Sequence, residues 1–320
     1  MARQARSLAG KIVAITGGGR GIGAATAAAL VREGAKVAIG DLDLDVAERT
    51  AAGLHDAGRA AAEPDDAEPD DAEPAAEPDD AGRDGAEVNA VAFPLDVTNR
   101  AGFTKFLEEV EGRLGPIDVL INNAGIMPLG RFEDESDSST TRQLEINLHG
   151  VIHGTREAVK RMRPRGSGHI VNIASAAGKA GFPGAATYCA TKHGVVGLSE
   201  AVRGELRGSG IDLSVVMPAI VRTELAAGLK EARFFKSVEV GDVAEAIVRT
   251  LRKPRFEVFV PASLDAMNRL TRLLPRPVAE WIVRSLKGDQ VLYDAEHEAR
   301  KDYEARAAAS APTADREIAG

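Results

Sequence analysis

The sequence predicts a doubly wound α/β fold, in which helices cover both faces of an open parallel sheet. Short runs rich in Val and Ile recur along the first 261 residues, and helix-length segments separate them. The runs are continuously apolar rather than alternating, which is typical of strands buried on both faces. A chain in which such strands alternate with helices is expected to wind into a parallel sheet covered by helices.

Each element follows from the same reading of hydrophobic periodicity. The predicted strands are 11–16, 36–40, 88–93, 117–121, 169–174, 211–217 and 256–260. The clearest helical patterns between them are 21–33, 101–113, 138–162 and 190–207. We expect one domain over residues 7–261, a helical C-terminal extension over 262–309 and a frayed tail over 310–320.

An acidic tract accounts for the net charge of −8. Residues 63–80 consist of AEPDD-like repeats with ten acidic side chains and no basic one, and without them the net charge would be +2. Ordering such a segment would cost on the order of 18–36 kcal/mol of backbone entropy, and its few alanines cannot offset that by burial. We interpret about 56–86 as a disordered, Pro-rich insertion, either an acidic interaction arm or a tolerated surface loop.

Composition narrows the setting of the protein. Cys189 is the only cysteine, which excludes an internal disulfide framework and suits a reducing cytoplasm. The N-terminal segment has no apolar stretch of the kind found in secretory signals, and no uncharged run approaches the ~20 residues of a membrane span. There is no basic stripe with interleaved aromatics, so no nucleic-acid partner is expected. These features predict a cytoplasmic protein without a transmembrane segment.

A glycine-rich turn, TGGGRGIG at 16–23, joins the first strand to the first helix. Glycines at this place let the backbone approach a pyrophosphate at the positive end of the helix, as in dinucleotide-binding folds. Asp41 ends the second strand, where a carboxylate can bind both hydroxyls of the adenosine ribose and repel a 2′-phosphate. This favours NAD over NADP. Arg20 points the other way, because a cation in the glycine loop could pair with that phosphate.

A second group of residues carries proton-transfer chemistry. Tyr188 and Lys192 are four residues apart and share a helix face, and Ser175 precedes the tyrosine by thirteen residues. A free tyrosine has a pKa near ~10, so acting as a base near neutrality requires ~4 kcal/mol of preference for the phenolate. A nearby lysine ammonium and a positive nicotinamide ring could supply that preference.

Taken together, these motifs resemble the classical short-chain dehydrogenase/reductase family. The resemblance rests on the glycine loop, Asn122 to Gly125, Asn147, Ser175 and the Tyr188-x-x-x-Lys192 pair, with Asp96, Val97 and the 218–223 segment at matching places. It covers roughly residues 7–261 apart from the insertion. It implies a seven-stranded Rossmann-type sheet of order 3-2-1-4-5-6-7 and an NAD(P)(H)-dependent oxidoreductase. One departure is Ala219, where the family usually has glycine.

The resemblance also implies roles for single residues. Tyr188 would exchange the proton, Ser175 would orient the substrate oxygen, and Lys192 would bind the nicotinamide ribose and lower the pKa of the tyrosine. Asn147 would kink its helix to hold a water. Asp96 and Val97 would face adenine. The predicted cofactor-binding set is Gly17, Gly19, Arg20, Gly21, Ile22, Gly23, Asp41, Asp96, Val97, Asn123, Ala124, Gly125, Tyr188, Lys192, Pro218, Ile220, Val221 and Thr223.

The C-terminal helices leave three interpretations open. Their apolar stripe with basic flanks over 263–287 could cap the substrate cleft, pack on a second subunit or rest on a membrane surface. By resemblance, residues 222–236 would form a mobile lid, and a homodimer or homotetramer would form through the helices of Asn147 and Tyr188. No metal is expected, although His149 and His153 share a helix face.

The sequence therefore predicts an NAD(H)-dependent enzyme that interconverts a secondary alcohol and a ketone, with a small hydrophobic substrate of steroid- or lipid-like character. Two alternatives remain open. One is an NADPH-dependent ketoreductase acting on acyl-carrier substrates, against which Asp41 argues. The other is a non-catalytic nucleotide-binding scaffold, which would have no need for Ser175, Tyr188 and Lys192 together.

Overall fold

The computed structural model describes residues 5–62, 89–229, 237–275, 277–278, 292 and 297–310. Seven parallel strands form one sheet in the order β3-β2-β1-β4-β5-β6-β7. The strands are β1 Ile12–Thr16, β2 Lys36–Asp41, β3 Ala90–Pro94, β4 Val119–Asn122, β5 Gly168–Ile173, β6 Ile211–Pro218 and β7 Glu257–Val260. The predicted fold class and strand order are confirmed.

The central strands are buried on both faces, as their continuous hydrophobicity predicts. In β1, Val13 and Ile15 belong to one apolar core, whereas Ile12 and Ala14 belong to the other. Successive strand residues point to opposite faces, so one short strand supplies both cores.

Helices cover the two faces of the sheet. They are α1 Gly21–Arg32, α2 Leu44–Ala62, α3 Arg100–Leu114, α4 Asp137–Leu144, α5 Gly150–Met162, α6 Ala186–Glu205 and α7 Val240–Arg252. Helix α7 was not among the four clearest sequence patterns. It begins at a capping box in which the side chains of Glu239 and Asp242 each accept a backbone N–H of the first turn.

The predicted start of the acidic insertion at residue 56 is wrong. Helix α2 continues to Ala62, because the segment before the tract is rich in alanine, the residue with the highest helix propensity. The remainder of the predicted insertion, 63–86, lies outside the described residues.

The predicted helix 138–162 forms with a change of pitch inside it. A five-residue π-helical turn, Glu145–His149, separates α4 from α5. Such turns insert one residue into the helix and are frequent at functional sites. Asn147 lies within this turn and is fully buried.

Two helices of the C-terminal extension are described, α8 Ser263–Leu273 and α9 His297–Ala309. The predicted helix 278–286 lies outside the described residues beyond Val278. Helix α8 leaves Leu270 and Leu273 exposed, at 59% and 83% of their surface. In the described part of the chain, no helix has the length and apolarity needed to cross a membrane.

Candidate active site

The glycine loop that follows β1 is shaped by close backbone packing. Gly17 and Gly21 have φ values of +62° and +54°, a region that side chains other than glycine rarely adopt. A Cβ on Gly23 would lie 2.3 Å from the Gly17 carbonyl oxygen and 2.7 Å from Asn123 Nδ2. The helix α1 therefore starts against the loop with its N-terminal amides accessible, the arrangement that accommodates a pyrophosphate.

Thr16 and Asn123 connect this loop to the end of β4. The Asn123 amide group donates to the carbonyls of Thr16 and Gly17 at 3.0 and 2.8 Å. The Thr16 hydroxyl accepts the backbone N–H of Asn123 and of Ala124, at 3.0 and 3.1 Å. Thr16 belongs to the glycine motif, but its contact with the end of β4 could not be predicted, because its partner Asn123 is 107 positions away in the chain.

Asp41 is the last residue of β2 and is the residue predicted to bind the adenosine ribose. Its carboxylate accepts the backbone N–H of Gly19 at 2.9 Å and of Asp43 at 3.1 Å. These bonds hold the acid beside the glycine loop. Arg20 pairs with Asp43 at 2.7 Å, and this hydrogen bond lowers the pKa of the Asp43 carboxyl.

Asp96 and Val97 follow β3 at the same edge of the sheet. One Asp96 carboxylate oxygen accepts the backbone N–H and the hydroxyl of Thr98, at 2.9 and 2.7 Å. Val97 is buried, and a Cβ on Gly150 of α5 would lie 2.9 Å from its methyl carbon. The predicted adenine-side residues are thus fixed by local bonds and by α5.

The segment after β6 reaches the start of α1. Pro218 ends β6, and Val221 forms an isolated bridge with Val238. A Cβ on Gly21 would lie 3.3 Å from the Thr223 methyl carbon, so Thr223 faces the glycine loop. Ile220 packs in the apolar cluster that contains Tyr188. The segment predicted to meet the nicotinamide therefore lies between the glycine loop and the tyrosine.

Ser175, Tyr188 and Lys192 come together as predicted. Ser175 follows β5, and α6 carries the other two. Lys192 Nζ lies 5.6 Å from the centre of the Tyr188 ring and donates a 3.0 Å hydrogen bond to the Ile173 carbonyl. The Ser175 hydroxyl accepts the Ala177 N–H at 3.1 Å and acts on the pKa of Tyr188 in the lowering direction. The geometry joins a phenol, a hydroxyl and an ammonium at the carboxyl end of β5.

Burial governs the titration of this group. It raises the pKa of Tyr188 well above the ordinary value of a tyrosine, while the nearby Ser175 hydroxyl has a smaller effect in the lowering direction. Burial lowers the pKa of Lys192 to about 8. The lowering of the tyrosine pKa by Lys192 together with a positive nicotinamide ring stays a prediction.

Asn147 links the π-helical turn to this group. Its side chain accepts the Ile126 backbone N–H and donates to the Ile126 carbonyl, both at 2.8 Å. It also donates to the Thr191 hydroxyl at 3.3 Å. The predicted kink is thus a π-helical turn, and the asparagine anchors the strand β4 loop beside Lys192. Its role toward a water stays a prediction.

Tyr188 belongs to a cluster of apolar residues. Its buried members beside the tyrosine are Met127, Ala177, Ala185, Cys189 and Leu292, and Leu129, Phe182, Ile220, Leu225 and Leu229 pack against them. Helix α9 adds Tyr303, whose hydroxyl accepts the Met127 N–H at 2.6 Å. Met127, Leu292 and Tyr303 belong to no spaced motif, so no signal in the sequence points to them.

The two histidines on α5 and the π-helical turn have other partners. His149 Nδ1 lies 2.9 Å from a Glu145 carboxylate oxygen, and His153 Nδ1 lies 3.2 Å from the Val97 carbonyl oxygen. Among the described residues, no three His, Cys, Asp or Glu side chains are grouped so that they could hold a metal ion.

Comparisons with known proteins agree with this geometry. The sequence model of the family described as short chain dehydrogenase matches residues 11–77 and 67–233. A 3-alpha-(or 20-beta)-hydroxysteroid dehydrogenase of Mycobacterium bovis is 35% identical over 75% of this chain and 79% of its own length. 2-(S)-hydroxypropyl-CoM dehydrogenase 3 of Xanthobacter autotrophicus is 35% identical over 67% of this chain and 72% of its own.

A solved structure has the same fold. The short chain dehydrogenase/reductase from Burkholderia phymatum, crystallised in complex with NAD, is 26% identical, with a TM-score of 0.67 over 83% of this chain and 94% of that one. The family match spans the glycine loop, Asn147, Ser175, Tyr188 and Lys192. The chain belongs to the short-chain dehydrogenase/reductase family.

Proposed function

We propose that the protein is an NAD(H)-dependent dehydrogenase that interconverts a secondary alcohol and a ketone, with Tyr188 as the general acid/base. The observation that carries the proposal is the convergence of Ser175, Tyr188 and Lys192 beside the loop at 220–223. When bound, NAD supplies a nicotinamide ring that accepts a hydride from the alcohol carbon.

The residues of the chain divide the remaining work. Tyr188 holds the proton that passes to or from the substrate oxygen, and burial raises its pKa, so the hydroxyl stays protonated in the coenzyme-free protein. Ser175 orients the same oxygen by a hydrogen bond. Lys192 lies beside the phenol ring and donates a hydrogen bond to the Ile173 carbonyl. From this position it can bind a ribose hydroxyl.

The preference for NAD over NADP rests on two carboxylates. Asp41 is held at the glycine loop by two backbone N–H groups, where it would repel a 2′-phosphate. Arg20, the cation that could pair with such a phosphate, is engaged by Asp43. The NAD in the Burkholderia phymatum structure supports the same choice.

A hydrophobic substrate is supported by the apolar cluster around Tyr188. Met127 is buried in this cluster with the tyrosine, and Phe182, Leu225 and Leu229 pack against it. Aromatic and aliphatic linings of this kind bury the body of a lipophilic ligand. The hydroxysteroid and hydroxypropyl-CoM substrates in the names of the relatives fit an alcohol or ketone substrate.

We further infer a cytoplasmic protein that forms a homodimer or homotetramer through α4, α5 and α6, and an acidic insertion that takes no part in catalysis. The lone cysteine supports the first inference. Sedimentation of the purified full chain tests the oligomeric state, and a purely monomeric protein would contradict the inferred homodimer or homotetramer.

The function is tested by incubating the full chain with NAD and a panel of steroid, fatty and small aliphatic alcohols while following the nicotinamide absorbance band. We expect turnover of at least one cyclic or lipophilic secondary alcohol. Tight NADH binding without turnover of any member would instead support the non-catalytic scaffold.

A further inference from the structure

The buried arginine of helix α9 joins three separate parts of the chain. Arg300 is fully buried. Its guanidinium donates to the carbonyls of Leu225 and Ala227 at 3.0 Å each and to the Met127 carbonyl at 2.7 Å, and it pairs with Glu304 at 3.2 Å. Burying a cation is costly unless it is paired and hydrogen-bonded. Here the planar fork satisfies the charge and fixes α9 to the loops after β4 and β6.

Tyr303 lies one turn further along the same face of α9. Its ring packs against the Arg300 guanidinium, 5.0 Å from the ring centre. Its hydroxyl oxygen accepts the Met127 N–H at 2.6 Å. Both backbone groups of Met127 are therefore bonded to α9, the carbonyl through Arg300 and the N–H through Tyr303.

Tyr303 is also a neighbour of the catalytic tyrosine. The two phenols are close enough that charge on Tyr303 would raise the pKa of Tyr188. Met127 packs with Tyr188 in the same apolar cluster, together with Leu292 just before α9. Helix α9 is therefore linked to the surroundings of Tyr188 through Met127.

The hydroxyl of Tyr303 is a donor rather than a base. Burial raises its pKa to about 12, so it stays protonated across the physiological range. A phenol that already accepts one N–H has its own proton left to give. Near Tyr188, a substrate oxygen is a group that could receive that proton.

We propose that α9 is the outer wall of the substrate cleft, in which Tyr303 binds an oxygen of the substrate remote from the reacting carbon and Arg300 positions the wall. This proposal rests on the dehydrogenase function proposed above. It assigns the substrate class more narrowly, as an apolar ketone or alcohol that carries a second hydrogen-bond acceptor. Tyr188 and Tyr303 then hold the substrate at two points.

Tyr303→Phe tests the substrate contact. We expect KM for a diketone to rise about five- to tenfold, as for loss of one hydrogen bond, with kcat within about twofold and NADH affinity unchanged. A monoketone of the same carbon skeleton should show almost no change in KM. Equal effects on both ketones, or weaker NADH binding, would overturn the contact.

Arg300→Lys and Arg300→Met test the positioning role, with Lys301→Ala on the exposed face of α9 as the charge-matched control. We expect amide hydrogen exchange to become about tenfold faster at Met127 and at 225–229 in both Arg300 variants, because a lysine cannot bridge three carbonyls. KM should rise while NADH affinity stays constant. A merely structural arginine would lower NADH affinity and thermal stability together.

The exchange measurement and the kinetic measurement fail in different ways. If the full chain oxidises no alcohol, the proposed dehydrogenase function fails, while the exchange rates still report whether Arg300 holds the wall. Unchanged exchange at Met127 in the Arg300 variants would overturn the wall even in a fully active enzyme.

Discussion

Arg20 of the glycine loop lies 2.7 Å from the carboxylate of Asp43, two residues beyond the predicted ribose-binding Asp41. Arg20 is the cation that favoured NADP in the sequence, and its guanidinium is paired with Asp43. Both side chains are more than two-fifths exposed, so the pair contributes only ~0–1 kcal/mol and can be broken at little cost. The exclusion of a 2′-phosphate therefore depends chiefly on Asp41.

The coenzyme preference follows from this arrangement. NADH should bind at least about tenfold more tightly than NADPH, a difference of ~1.4 kcal/mol, as measured by fluorescence titration. Asp43→Asn frees Arg20 and should narrow that ratio by about fivefold at most. Asp45→Asn, the same charge change on an exposed helix position, is the control. Equal affinity for the two coenzymes in the unmodified protein would contradict the role of Asp41.

Tyr188→Phe should lower turnover by at least ~100-fold, as expected when a general acid/base is removed. The substitution keeps the ring in its buried cluster, so the affinity for NADH and the thermal unfolding midpoint should be almost unchanged. Steady-state kinetics and coenzyme titration on the same preparation separate the two effects. A fully active variant would reject the mechanism.

Burial of the Lys192 ammonium destabilises the folded protein. Its pKa is lowered by burial from the ordinary 10.5 to about 8, so between these values the unfolded chain binds more protons and stability rises with pH. At pH 7 the burial of the ammonium costs about 3 kcal/mol.

Lys192→Met should therefore raise the free energy of unfolding at pH 7 by about 1–3 kcal/mol while abolishing activity. The gain should shrink as pH rises from about 8 towards 10.5, which urea titrations at several pH values would measure. Lys301→Met, an exposed lysine on α9, is the control. A less stable Met variant at neutral pH would show that the hydrogen bond to Ile173 outweighs desolvation.

Deletion of residues 63–80 should leave kcat and the KM for NAD nearly unchanged. Helix α2 ends at Ala62 and β3 begins at Ala90, and both of these ends lie away from the carboxyl ends of the strands, where the candidate site lies. The isoelectric point should rise, since the net charge changes from −8 to +2. A large increase in the KM for NAD would place the tract near the coenzyme.

The sequence predicted those features that local chemistry determines. Continuous apolar runs located the seven strands because a strand buried on both faces has no polar side. Gly17 and Gly23 could be recognised because the close approaches at the loop exclude any Cβ. Tyr188 and Lys192 could be paired because positions four apart on a helix share a face.

Features that depend on contacts between distant segments could not be predicted. Arg300 bonds the Met127 carbonyl across 173 positions of the chain, and a charged helix gives no signal of such a partner. The π-helical turn at Asn147 adds one residue to a helix without a composition of its own. The start of the insertion was placed too early because the alanine-rich end of α2 is helical by propensity while lacking large apolar side chains.

The fork of Arg300 has a consequence for how this protein can diversify. The predicted coenzyme-binding residues lie on the sheet and the glycine loop, in the first two-thirds of the chain. The proposed substrate wall is a helix beyond the matched family region, and Arg300 attaches it to the rest of the protein. Amino-acid substitutions on the inner face of α9 can change which ketone binds, while the glycine loop keeps its shape. Substrate choice and coenzyme choice are thereby separable within a single chain.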